Sequence, residues 1–154
     1  MIIRARSVVT MDGAPIEDGA GRGTGNRIGE VGEFPKFASD NDEILDLGES
    51  ILLPGLINAH CHLDYTCLRG KIPRQTSFTN WIRAINAEKA GLTAQDYVAS
   101  INAGLAEAYR FGTTTIANLT AFPELIASID EAVRTWWFAE LIDVREPHEY
   151  QICN

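Results

Sequence analysis

From Pro54 onward, this chain of 154 residues alternates short apolar runs with helical stripes, an order that restricts it to a parallel sheet crossed by helices. Leu56 to Ala59 continue an apolar run behind the Pro54-Gly55 break and read as a buried strand. Phe78, Ile82 and Ile85 then recur at helical spacing, with Ser77 placed as an N-cap and Lys89 and Gly91 closing the helix. Thr93 caps a second helix, on which Tyr97, Ile101, Leu105 and Ala108 form the core stripe and which Gly112 ends. Thr113 to Leu119 is β-branched and uncharged, the pattern of a strand buried on both faces. Pro123 opens a third helix bearing Leu125, Ile126, Ile129 and Val133, and Thr135 to Ile142 supplies a third strand.

The first 53 residues have a different rhythm. Ile2 to Val9 reads as a strand entering a turn at Met11-Asp12-Gly13, and Glu43 to Gly48 and Ser50 to Leu53 read as two more. Glycine recurs from Gly19 to Gly32, but a phosphate loop must follow a strand and open a helix, and Asn26 to Gly32 has no helical pattern. A loose turn and a weak strand are expected there instead. A boundary near residue 53 follows, separating a β portion, residues 1–53, from an α/β portion, residues 54–154.

Charge narrows the partners. A formal charge of -8 sets a repulsive field against nucleic-acid phosphates and anionic membrane surfaces, leaving small-molecule chemistry as the natural class. No run is long enough to span a membrane, and Arg4 and Arg6 interrupt too short an apolar stretch for a signal peptide, so a cytoplasmic address is expected. Cys61, Cys67 and Cys153 are odd in number and form no framework, as suits a reducing compartment.

The chemistry concentrates at His60-Cys61-His62, where the first strand of the α/β portion ends. Successive side chains of a strand alternate in direction, so two imidazoles converge on one face while the thiol between them is sent to the other. That spacing suits a metal ion, and the C-terminal end of a parallel strand is where such folds place their chemistry. A structural zinc knuckle using Cys61 and Cys67 is disfavoured by the alternation and by the missing Cys-x-x-Cys pairs. A cupin-type barrel would add a glutamate and continue in strands, and this chain does neither. Asp64 is placed to accept from an imidazole N–H or to be a plain loop carboxylate.

Leu53-Pro-Gly-Leu-Ile-Asn-Ala-His-Cys-His-Leu-Asp64, then Leu68-Arg69-Gly70, then Gly112-Thr-Thr-Thr115, resemble the N-terminal part of the amidohydrolase superfamily, in the branch of metal-dependent deaminases and chlorohydrolases. The resemblance implies a partial (β/α)₈ barrel, about its first three β/α units, preceded by part of a small β-sandwich. It also implies a divalent ion, zinc or iron, on His60 and His62, and hydrolysis of a non-peptide carbon–nitrogen bond, foremost deamination of a purine-like heterocycle. Arg69, Asn118 and Glu140, near strand ends, are the candidates for substrate contact, and Trp81 could cover a ring or pack outside. The superfamily's later histidines, aspartate and proton-carrying glutamate have no counterparts here, and His148, in the tail Arg145 to Tyr150, matches none of them. Three β/α units leave strand edges open unless a missing C-terminal half or self-association covers them. The alternative reading is a truncated, non-catalytic product or a partner-dependent metal-binding module.

Overall fold

The computed structural model describes residues 1–37, 39 and 41–140; the expected strand positions beyond 140, His148 and Cys153 lie outside the described residues. The chain divides into two compact units, Met1–Pro54 and Gly55–Asn154.

The first unit is a five-stranded sheet built around β1 (Ile2–Val8). β2 (Ile16–Thr24) runs antiparallel to β1, and β3 (Arg27–Glu33) runs antiparallel to β2. The glycine-rich stretch is therefore a long hairpin rather than a loose turn and a weak strand. Glycine removes side-chain packing but keeps the backbone donor and acceptor, and β1 supplies the register, Ile2 opposite Arg22 through Val8 opposite Ile16. A four-residue helix, α1 (Phe34–Phe37), follows, and β4 (Ile44–Asp46) and β5 (Ile51–Leu52) pair in parallel with β1. Ile2, Ala5, Val8 and Ala20 are its buried apolar residues, and the rim carries ion pairs: Arg4 with Asp18 at 2.7 Å, and Arg22 with Asp42 at 2.6 Å.

The second unit holds a parallel sheet of three strands in the order β6 (Leu56–Cys61), β7 (Thr113–Thr120), β8 (Arg134–Ala139). A short 3₁₀ segment, Leu63–Leu68, and two helices, α2 (Phe78–Lys89) and α3 (Ala94–Arg110), connect β6 to β7. Both expected caps form: Ser77 Oγ accepts from the Asn80 N–H, and Thr93 and Asp96 make a reciprocal capping box. α3 lays Ile101 and Leu105 on the sheet, where they join Leu63, Ile116 and Val133 in the core. Gly104 allows this approach, since a Cβ there would sit 2.6 Å from Thr66 Oγ1 and 2.9 Å from Leu63 Cδ2.

Four expectations change. β7 is buried on alternate residues, Ile116, Asn118 and Thr120, because helix α3 covers only one of its faces. β6, expected as a buried strand, is exposed from Leu56 to His60, with β7 its only strand partner among the described residues, and on α2 Phe78 and Ile82 are exposed while Ile85 is buried. The helix expected from Pro123 is a 3₁₀ segment, Pro123–Ser128, with no buried residue, and Val133 reaches the core from the segment before β8. Apolar periodicity alone did not supply enough packed surface to extend that turn.

Candidate metal centre

Local sequence sets the geometry at the end of β6. Gly55 passes so close to the Thr114 side chain that any Cβ would collide with it, which holds the start of β6 tightly against β7. At the other end Cys61 is paired with Asn118 and packs against the helix-side core. Its thiol lies 3.8 Å from the Ala117 carbonyl, and burial, followed by the Asp64 charge, pushes its pKa up to about 11. The thiol is thus directed to the helices, and the imidazoles of His60 and His62 meet each other edge to face with ring centroids 5.3 Å apart. His60 is exposed and His62 half-buried.

Among the described residues, His62 Nδ1 is buried without a hydrogen-bond partner, and the carboxylate beside it is Glu140 Oε2 at 3.6 Å, an atom equally without one. Glu140 follows directly after β8, so two strand ends bring these residues together. Asp64 is fully buried and neither of its carboxylate oxygens meets hydrogen-bond geometry among the described residues. Burial pushes its carboxyl above the usual range, while Lys89 and His62 pull it back. Orphaned buried polar atoms around two convergent imidazoles fit a cation site whose remaining donors are elsewhere. Among the described residues no cluster of three histidine, cysteine or acidic side chains at metal-binding spacing occurs.

The other candidates are placed differently. Asn118 is fully buried on the helix side, and its Oδ1 accepts from the Leu63 N–H at 2.9 Å, fixing the chain just past His62. Arg69 is exposed and forms a two-bond pair with Glu107 of α3, each N···O distance 2.9 Å. Trp81 is partly exposed and leans on Phe78, centroids 5.6 Å apart. Sequence reasoning did not single out Tyr65, and it read Lys89 only as the basic last turn of a helix. Tyr65 stacks on His62 with centroids 5.3 Å apart and planes 9° from parallel, and its hydroxyl lies 3.1 Å from Lys89 Nζ. Only the 3₁₀ path of residues 63–68 brings Tyr65 back over His62, and no periodicity announces a segment that short.

The second unit is thus a parallel α/β sheet with His60 and His62 together at the end of its first strand. A model of the amidohydrolase family matches residues 51–142, and the chain belongs to that family. It is 34% identical over 123 residues to a 5-methylthioadenosine/S-adenosylhomocysteine deaminase of Nitratidesulfovibrio vulgaris, an alignment covering 77% of this chain and 28% of that protein. Its fold is similar to that of Helicobacter pylori aminofutalosine deaminase in complex with methylthio-coformycin, with a TM-score of 0.79 at 18% identity, covering 96% of this chain and 37% of that one. It is similar too to the atrazine chlorohydrolase TrzN of Arthrobacter aurescens complexed with zinc, with a TM-score of 0.65 at 27% identity, covering 77% and 28%. The chain thus spans less than half the length of each of these proteins.

Proposed function

We propose that this chain supplies the N-terminal share of a metal-dependent hydrolase acting on non-peptide carbon–nitrogen bonds, with hydrolytic deamination of an adenosine-like compound as its reaction. The observation that carries the reading is the convergence of His60 and His62 at the end of β6, in a chain whose relative of 34% identity is a deaminase. In this reading β6, β7 and β8 are the first three strands of an eight-stranded barrel, residues 1–53 are part of a β-sandwich, and residues 54–154 are the barrel portion. The outer edges of β6 and β8 carry no strand partner among the described residues, and Leu56, Ile57, Trp136 and Phe138 stand exposed along them. Further polypeptide, in the same chain or a second copy, closes those edges and brings the remaining ligands.

His60 and His62 would hold the ion, zinc or iron. A bound divalent ion supplies an acidified water as nucleophile near neutral pH. Glu140, 3.6 Å from His62 Nδ1, is the carboxylate beside that ring and the candidate for substrate contact. Asn118 holds the turn beyond His62, and Arg69 is engaged with Glu107 until a substrate group competes for it. The substrate is a small molecule, and the net charge of -8 disfavours nucleic acid. No described helix is long and apolar enough to cross a membrane.

The test is a chimera in which residues 1–140 replace the matching N-terminal part of the Nitratidesulfovibrio vulgaris deaminase. Ammonia release from 5-methylthioadenosine that disappears with His62→Ala is the expected result. A folded, zinc-loaded chimera that releases none would count against the deaminase reading.

A further inference from the structure

His62 combines a buried Nδ1 that has no hydrogen-bond partner among the described residues with a near-parallel aromatic neighbour. Imidazoles that bind metals are ordinarily aimed by a hydrogen bond from the second ring nitrogen. Here the Glu140 carboxylate is 3.6 Å away, beyond a good hydrogen bond, whereas the Tyr65 ring lies 9° from parallel at 5.3 Å. Lys89 holds Tyr65 in turn. Its ammonium donates to the Tyr65 hydroxyl at 3.1 Å and sits 4.6 Å from the ring centroid. Lys89 belongs to the last turn of α2, so a helix 27 residues beyond His62 in sequence is connected through one tyrosine to the ligand ring.

We propose that Tyr65 is a positioning residue for His62, fixed by Lys89, so that the plane of the metal-binding imidazole is set by stacking rather than by a hydrogen bond. This rests on the metal role of His62 proposed above. A bracket of this kind makes the metal affinity depend on a helix that contributes no ligand.

The experiment titrates zinc into the 154-residue chain and its Tyr65→Leu, Tyr65→Phe, Lys89→Met and His62→Ala variants, in competition with a coloured chelator. Each variant's fold is checked by circular dichroism, and the visible spectrum of the cobalt-loaded form is recorded. Tyr65→Leu is expected to weaken zinc binding about 10- to 100-fold, the range for losing a group that orients a ligand, and to shift the cobalt bands. Tyr65→Phe retains the stack, so the cobalt bands return to their wild-type positions and the affinity falls by less than about 10-fold; Lys89→Met falls between the two. Wild-type affinity and spectrum in Tyr65→Leu, with binding lost in His62→Ala, would overturn the positioning role and leave the metal reading standing. Wild-type binding in His62→Ala would overturn both. Where Tyr65→Leu fails to fold, unchanged affinity and cobalt spectrum in Lys89→Met would overturn the bracket.

Discussion

Asn118 accepts a hydrogen bond from the Leu63 N–H across 2.9 Å, so the middle strand of the parallel sheet holds the backbone immediately beyond His62. Both groups are buried, and removing the acceptor leaves a buried donor unmatched, at a cost of about 1–3 kcal/mol. Asn118→Ala is expected to lower the unfolding free energy by that amount in urea, and to weaken zinc binding because residue 63 is no longer held. Unchanged stability would show that water replaces the carboxamide freely.

Gly104 lies where α3 crosses the 3₁₀ segment. Alanine gains about 1 kcal/mol over glycine in a helix. At this position its methyl would press on Thr66 Oγ1 and Leu63, and overpacking of a tight contact costs about 1–3 kcal/mol. The clash should win, so Gly104→Ala is expected to melt below the wild type although it is the better helix former. A higher melting temperature would mean that α3 slides without loss.

The β unit carries its own acid sensitivity. The guanidinium of Arg22 and the Ser39 N–H hold the Asp42 carboxyl well below the usual carboxylate range. A depressed folded-state pKa adds stability that is present above the unfolded value, near 4, and is lost as pH falls towards the folded value. Asp42→Asn should therefore unfold more easily at pH 7, and the gap from wild type should narrow steadily below about pH 4. A gap that stayed constant across that range would exclude the ion pair as its source.

Cys61 is a thiol directed into the core between two exposed or half-exposed histidines. With its pKa near 11, about one molecule in a thousand is thiolate at pH 8. Brief iodoacetamide treatment followed by peptide mapping is expected to leave Cys61 unlabelled in the folded chain and fully labelled in urea. Rapid labelling of the folded protein would place the thiol on the histidine face instead.

Much of this arrangement is legible in the sequence, and the residues explain why. Alternation along a strand sends Cys61 away from His60 and His62, and that separation depends only on the geometry of an extended backbone. Caps at Ser77 and Thr93 are equally local, so both helix starts could be read from spacing. The glycine-rich hairpin was missed because its strands owe their existence to pairing with β1, a tertiary event without a side-chain signature. Tyr65 was missed for the same reason at smaller scale: its stack on His62 is created by a six-residue 3₁₀ path and completed by Lys89 from α2. Glu140 was placed at a strand end correctly, but its approach to His62 depends on β8 lying two strands from β6 in the sheet.

The central claim is that His60 and His62 bind a divalent ion together, and metal content tests it most directly. Wild-type chain, His60→Ala and His62→Ala are purified side by side, dialysed against the same zinc buffer and analysed by mass spectrometry of the metal. The expected result is zinc in the wild type and a loss of at least about 10-fold in affinity in each variant. Equal zinc in all three proteins would contradict it.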